Sequence, residues 1–390
     1  MISPFTYQLA TSIKYGSGHA SKIGEALRLI CDEKKIVMIG DPGVINIGIT
    51  DTVTASLKRH GFTISLFSDL SGEASAKSID AAADLIRTAR PAAVIGLGGG
   101  TALDVAKFAA ALAPVKQRAE HYALAANQLP RRNAKLILVP TTAGTGAEVT
   151  RTAVFTNAEH RKVWAWGEEL ASDLVIIDPQ LTLSLPGPLT AATALDAMVH
   201  AIEACTHKNS NPIVRSFGLH AIRLVAQNLG QALDKPRDVD VRGKLLVAAT
   251  LAGMALDGAG AGIAHSIGHA LGSVASIHHG RAVALALDAV FSENLNAAVE
   301  IHADIALALG VRHGGEPQVV LAEKGAQAYR DFIKRSGIEA SLKPNGLSED
   351  VLDRLVEVAL SEENKPMCHN NCYQASEADI HRFFQRLLSR

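Results

Sequence analysis

Aromatic side chains make up only 4% of this 390-residue chain. So few rings exclude a stacking platform for nucleic-acid bases. Excess charge of either sign is missing as well, since 38 Lys and Arg face 39 Asp and Glu and leave a net charge of −1. A neutral balance removes the electrostatic basis for gripping a polyanion or an anionic membrane. The one short basic cluster, Arg131, Arg132 and Lys135, reads as a solvated loop. Cysteine is scarce: Cys31, Cys205, Cys368 and Cys372 are scattered and exclude a disulfide framework. Cys368-His369 with Cys372 lacks a second Cys/His pair at metal-binding spacing, so it reads as a polar loop rather than a metal clip. Long hydrophobic runs are lacking too. "AAVIGLGGG" is too short and glycine-broken to span a bilayer. "MISPFTYQLA" has no basic segment followed by the apolar core of a signal peptide. The expectation is a soluble, cytoplasmic protein.

What is present is apolar bulk. Hydrophobic residues reach 48%, enough for sizeable cores, and the length suggests two domains. The first half alternates short β-branched runs with helical patterns. "KKIVMIG" (34–40), "FTISLF" (62–67), "AAVIGLGGG" (92–100), "KLILVPTT" (135–142) and "LVIIDP" (174–179) read as strands. Helical patterns fall at 51–60 and in "SIDAAADLIRTAR". Such alternation implies a doubly wound, parallel, Rossmann-like α/β domain over residues 1–185. From Thr190 onward the pattern is Ala/Leu-rich and helical, with no convincing strand, which predicts an all-α domain over 186–390. "PGP" (186–188) reads as the hinge, and the cleft between two such domains is where a ligand is expected.

Two loops carry chemistry in the first half. In "GLGGGTALDVAK" (96–107) a strand runs into a helix through Gly98, Gly99 and Gly100. Without Cβ atoms they let a pyrophosphate approach the amides that open the helix. Thr101 and Asp104 stand at capping-box spacing. The loop is neither G-x-G-x-x-G nor a Walker loop, and a plain tight βα turn is the competing reading. The second loop, "PTTAGTGAEVT" (140–150), offers Thr141, Thr142 and Thr145 to cofactor heteroatoms or to its own backbone. Asp41 ends the first of these strands. It suits either an adenosine ribose, favouring NAD over NADP, or a turn before Pro42-Gly43.

The second half is rich in paired histidines. Asp196 and His200 are four residues apart in "TAATALDAMVHAIEAC", and His265 and His269 repeat that spacing in "GIAHSIGHALGSVASIHHG". Residues i and i+4 share a helix face. Two such helices can converge on an ion, with His279 completing the shell from the next loop. One carboxylate with imidazoles suits Fe²⁺ or Zn²⁺ with open positions for substrate.

Taken in order, "GGGTALDVAK", "PTTAGTGAEVT", "DPQLTLSLP", "TALDAMVHAIEA" and "HSIGHALG…HHG" resemble the iron-containing (group III) alcohol dehydrogenase family over nearly the whole chain. The nearest branch is that of lactaldehyde reductase and 1,3-propanediol dehydrogenase. The resemblance implies a metal site of Asp196, His200, His265 and His279, and places an additional active-site histidine at His269. It implies cofactor contacts at Asp41, Gly98, Gly99, Gly100, Thr101, Asp104, Thr141, Thr142, Thr145, Lys162 and Leu181. The implied activity is hydride transfer between a small primary alcohol or diol and NAD, on Fe²⁺ or Zn²⁺, in a homodimer or larger homo-oligomer. "FTYQLATSIKYG" would then be an edge strand pairing between subunits. Departures from the family pattern are Ala270, His278, Asp288 and the "NKP" at 364–366, and none removes a ligand. Maleylacetate reductase and dehydroquinate synthase are the alternatives on the same architecture.

Overall fold

A computed structural model describes residues 4–9, 11–70, 72–275 and 277–390 of the chain. The leader reading falls partly on residues 1–3, the edge-strand reading partly on Ala10, and the histidine-rich stretch includes Ser276, all outside the described residues. Two compact units are present: Leu9–Thr142 with Gly146–Ser184, and Leu185–Arg390 with Met1–Gln8 and Ala143–Thr145.

The first unit is α/β. Its strands are β1 (Ser12–Tyr15), β2 (Lys35–Gly40), β3 (Thr63–Phe67), β4 (Ala93–Gly98), β5 (Lys135–Pro140), β6 (Thr152–Thr156), β7 (Lys162–Trp166) and β8 (Leu174–Ile177). Six of them form one parallel sheet in the order β1-β8-β5-β4-β2-β3. β2, β4 and β5 are apolar on both faces, as buried parallel strands must be. Alternate residues serve the two sides. Ile36, Met38, Ile95, Leu97, Ile137 and Val139 pack with Ile23, Leu27, Val53 and Leu57 of α1 (Ile23–Arg28) and α3 (Ile49–Arg59). The opposite face carries Gly96, where an added Cβ would come within 2.7 Å of Ala106 in α5 (Gly100–Leu112). The short α2 (Pro42–Asn46) follows β2, and α4 (Ala76–Ala89) opens with a Ser75–Ser78 capping box.

Three sequence expectations change here. A two-stranded antiparallel hairpin, β6–β7, stands outside the parallel sheet. Its strands alternate buried and part-exposed residues, so they lack the continuous apolar run that marks the main strands. Of the N-terminal segment, Ser12–Tyr15 is indeed an edge strand, paired in parallel with β8 on its inner side. Thr101 and Asp104 form no capping box. Gly99 is the N-cap of α5 and no side chain caps it, so Thr101 already sits one residue inside the helix. Arg132 is not solvated: it donates to the Glu169 and Ala171 carbonyls and pairs with Asp173 at 2.9 Å.

The second unit is helical. α6 (Gly187–Thr206), α7 (Pro212–Asp234), α8 (Val239–Ala259), α9 (Ile263–Val274) and α10 (His279–Ala297) come first. They are followed by α11 (Val299–Ala308), α12 (Gln318–Arg335), α13 (Leu352–Ala359), α14 (Lys365–Asn370) and α15 (Glu377–Leu388). The "PGP" residues form the N-cap and first turn of α6, where proline costs no hydrogen bond. α6 is rich in Ala, a strong helix former small enough for close helix approach, and it is buried on nearly all sides. Asn211 and Asp238 cap α7 and α8 through their side chains. Among the described residues no single helix is long and apolar enough to cross a membrane.

Candidate functional site

The helical unit gathers its histidines around one carboxylate. Ala192, Asp196, His200 and Glu203 lie on one stripe of α6, spaced by four, four and three residues. His265 is the third residue of α9, and His279 opens α10. α10 reaches α6 through Gly280, where a Cβ would lie 2.0 Å from the Ala192 carbonyl oxygen. No other residue fits at that position, and the approach is what brings His279 onto Asp196.

Asp196 Oδ1 lies 3.9 Å from His200 Nε2, 3.9 Å from His265 Nε2 and 3.6 Å from His279 Nε2. Donors on a tetrahedral ion with bonds of about 2.0–2.2 Å stand about 3.3–3.6 Å apart, close to these spacings. Asp196, His265 and His279 offer donor atoms all within 4.8 Å of one another. His200 stands just outside that mutual set. Its ring stacks on His265 with centroids 4.5 Å apart and planes 19° from parallel. Burial pushes its pKa down to about 4 against the pull of Asp196, so the ring is neutral at pH 7, the form that binds metals.

The donor set fits a divalent cation on a direct test. Asp196 is 3% exposed, and its Oδ1 has no hydrogen-bond partner among the described residues. A buried carboxylate oxygen without a partner is costly. A cation among the four groups removes that cost.

Two further residues support the site, and the sequence reading did not single out either role. Glu203, fully buried, accepts from the Gly262 and Ala264 amides and from His265 Nδ1. Burial tends to raise its pKa, but the His265 ring and those amides outweigh it and hold the carboxyl below its usual range. Asn364 accepts from His269 Nδ1 at 3.1 Å while its amide nitrogen donates to the Val358 carbonyl at 2.8 Å. Because the amide nitrogen must face a carbonyl, Oδ1 faces His269. The proton therefore sits on Nδ1, and Nε2 is an acceptor. A signal for Glu203 existed in its position on the Asp196–His200 stripe. Asn364 lies in the "NKP" segment, 95 residues from its partner.

The α/β unit arranges its loops at neighbouring strand ends. The Thr141 amide donates to the Gly98 carbonyl, and a Cβ on Gly99 would touch Thr142 at 3.4 Å. Gly98 has φ +154°, and its Cβ would come within 2.9 Å of the Asp41 Cβ. Asp41, Gly98, Gly99, Gly100, Thr141 and Thr142 are thus brought to one edge of the sheet, beside the start of α5 and Thr101. Asp41 also caps α2, accepting from the Gly43 amide at 2.7 Å. Asp104 is turned inward: it pairs with Lys107 at 2.8 Å and accepts from the Val154 amide. Lys107 in turn donates to the Ala147 and Thr152 carbonyls. Together they tie α5 to the second loop and to β6 after it, which accounts for Asp104 and Lys107 standing three residues apart. Thr145 belongs to Ala143–Thr145, which clusters with the helical unit, and Gly144 packs there on Thr193 of α6. Lys162 pairs with Glu73 at 2.7 Å, and the Leu181 side chain is sunk in the core beneath the sheet. His278 is the exposed N-cap residue of α10. Asp288 is held by Arg330 and Arg390 in a peripheral ion-pair network. The Cys368 and Cys372 thiols donate to Ser266 and to the Asn294 carbonyl.

Both halves of the chain have relatives among known proteins. Residues 10–179 match the family described as iron-containing alcohol dehydrogenase, and residues 190–388 match the C-terminal region of the same family. The chain is 31% identical to 1,3-propanediol dehydrogenase of Citrobacter freundii, over 98% of each. A crystal structure of 1,3-propanediol oxidoreductase superposes with a TM-score of 0.91 at 30% identity, covering 99% of this chain and 100% of that one. Sulfoacetaldehyde reductase of Bifidobacterium kashiwanohense, solved in complex with NAD⁺, gives a TM-score of 0.88 at 26% identity and covers 99% of each chain. A parallel-sheet unit with a glycine loop, a helical unit with an Asp–His cluster, and family matches to both halves lead to one conclusion. The chain belongs to the iron-containing alcohol dehydrogenase family, oxidoreductases that act on CH–OH groups.

Proposed function

We propose that this chain interconverts a small primary alcohol or diol and its aldehyde, using NAD(H) and one divalent metal ion held by Asp196, His200, His265 and His279. The observation that carries the reading is the buried Asp196 carboxylate with three imidazoles within 3.9 Å. A divalent ion bound there supplies Lewis-acid polarisation of the substrate oxygen. Fe²⁺ is the family's ion, and Zn²⁺ competes for the same N/O donors.

The chain's own residues have separate tasks in this reading. Residues 1–185 hold the dinucleotide and residues 186–390 hold metal and substrate. Gly98, Gly99 and Gly100 leave room for the pyrophosphate at the start of α5, with Thr101, Thr141, Thr142 and Thr145 bonding the cofactor and Asp104 acting through Lys107. Lys162 lines the nicotinamide end, and Leu181, its side chain buried, does so through its backbone. Asp41 accepts from a ribose hydroxyl and disfavours a 2′-phosphate, so NADP is the poorer cofactor. His269, with Nε2 unprotonated, takes the hydroxyl proton and passes it outward. The small alcohol is the partner. We place the protein in the cytoplasm as a homodimer or larger homo-oligomer. Four free thiols suit a reducing compartment, and the exposed edge strand β1 offers a seam for a second copy.

The test is metal-stripped protein reloaded anaerobically with Fe²⁺, Zn²⁺ or Mn²⁺ and given NAD⁺ with a panel of alcohols and diols. Net NADH that depends on the reloaded ion is expected. A dehydroquinate synthase-like lyase restores its NAD⁺ each turnover and gives none. His269→Ala is expected to lower kcat about 100-fold and flatten its dependence on pH near neutrality. Unchanged kcat and pH profile would remove the proton-relay role.

A further inference from the structure

The start of α9 is capped from a distance. Its N-cap residue is Gly262, which has no side chain to cap with. The first amides of the helix are satisfied instead by two residues far away in sequence. Glu203 of α6 accepts from Gly262 N at 2.9 Å and Ala264 N at 2.6 Å, and Asn371 Oδ1 accepts from Ile263 N at 3.3 Å. Gly262 is required for this: a Cβ there would lie 2.7 Å from Asn371 Oδ1 and 2.9 Å from Glu203 Oε1.

Glu203 does one thing that Asn371 does not. Its Oε2 also meets His265 Nδ1 at 2.5 Å. An ionised carboxylate only accepts hydrogen bonds, so the imidazole proton must be on Nδ1. That leaves the Nε2 lone pair directed at the Asp196 carboxylate, 3.9 Å away. The two remaining freedoms of a histidine donor, which nitrogen is basic and how the ring is turned, are both fixed by this single group. Because the same oxygens open the helix that carries His265, helix start and ligand aim are one device. We propose that Glu203 is a positioning residue for the metal centre: it sets the His265 tautomer and aims Nε2 into the site before the ion arrives. The inference rests on the metal reading above and concerns a residue outside the donor set.

Outer carboxylates of this kind typically change metal affinity 10–100-fold when altered. Apo-protein is titrated with Zn²⁺ and with Co²⁺ in competition with a chromophoric chelator, and apo-state thermal unfolding is followed in parallel. Glu203→Gln is expected to weaken both ions 10–100-fold and to alter the visible Co²⁺ spectrum, because the amide offers two donors that cannot all face amides and Nδ1–H. Gly262→Ala, which pushes the carboxylate away, is expected to weaken binding likewise. Asn371→Ala removes another cap from the same helix start and is expected to bind metal as the wild type does, even if its apo form melts earlier. Equal losses in Glu203→Gln and Asn371→Ala would reduce Glu203 to a helix cap and overturn the proposal. Wild-type affinity in Glu203→Gln, with Asp196→Ala and His265→Ala both impaired, would overturn the proposal and leave the metal reading standing. Wild-type affinity in all three would overturn both. If the variants do not fold, the wild-type apo-protein still decides: a proton bonded to His265 Nδ1 is expected in its ¹H–¹⁵N imidazole spectrum, and a proton on Nε2 instead overturns the proposal.

Discussion

The two units build their halves of the chemistry from different materials. In the helical unit the site consists of side chains: Asp196, His200, His265 and His279 project from three helices toward one point. In the α/β unit the proposed cofactor site consists largely of backbone: three glycines, strand-end carbonyls and the amides that open α5. A side-chain site fails when a functional group is removed. A backbone site fails when an atom is added. The same chain can therefore be broken in two opposite ways, and the stability cost should differ in sign.

The largest effect belongs to Asp196→Asn. The amide is nearly isosteric but removes the carboxylate that faces all three imidazoles. Metal affinity and turnover are both expected to fall at least about 1000-fold. Apo-state stability should move the other way, because a buried carboxylate with no hydrogen-bond partner on Oδ1 among the described residues is relieved. Calorimetry of apo wild type and apo variant checks this. A variant that binds no metal yet melts no lower than wild type supports a site held at a cost to the fold. A variant that unfolds shows Asp196 to be structural.

The same contrast explains what could be read in advance. The i,i+4 pairs of α6 and α9 survive in one dimension, because helix periodicity converts spacing into a shared face. The buried strands survive too, since a parallel sheet covered on both sides demands continuous apolar runs. Glu203 did not stand out, because two of its partners are backbone amides 59 and 61 residues away, which carry no residue-type signature. Asp104 misled for the opposite reason. Thr101 and Asp104 have capping-box spacing, but Gly99 starts the helix early and Lys107 claims the carboxylate. Hairpin β6–β7 went unassigned because its half-exposed alternation resembles a loop between two stronger strands. Spacing within one element is legible; partners across elements are not.

Adding an atom to the glycine loop gives the middle effect, and two neighbouring positions separate fold from function. Gly98→Ala places a Cβ 2.8 Å from the Ala102 Cβ at φ +154°, so both sterics and backbone resist it. A loss of about 2–4 kcal/mol is expected from the combined strain and overpacking, read as a lower urea midpoint with unchanged m-value. Gly99→Ala meets only Thr142 at 3.4 Å, an ordinary contact at the tight end. Its folding cost should stay within about 1 kcal/mol, that of a poorer N-cap. If a pyrophosphate lies against Gly99, KM for NAD⁺ rises about tenfold while metal affinity is untouched. Unchanged KM in Gly99→Ala would make the loop a tight βα turn and nothing more.

The smallest effect isolates a single charge. Asp41 caps α2 through Oδ1 to the Gly43 amide, and Asn caps helices as well as Asp does. Asp41→Asn therefore leaves the fold alone and removes only the negative charge beside the glycine loop. A carboxylate and a phosphate a few ångströms apart repel by about 1–4 kcal/mol in a surface-like dielectric. The ratio of kcat/KM for NADP⁺ to that for NAD⁺ should accordingly rise about tenfold, and the rise should shrink as salt screens the repulsion. Because the cap is preserved, stability cannot account for a change in that ratio. A ratio that stays put at low salt means the carboxylate faces no ribose, and that Asp41 serves only the turn at Pro42-Gly43.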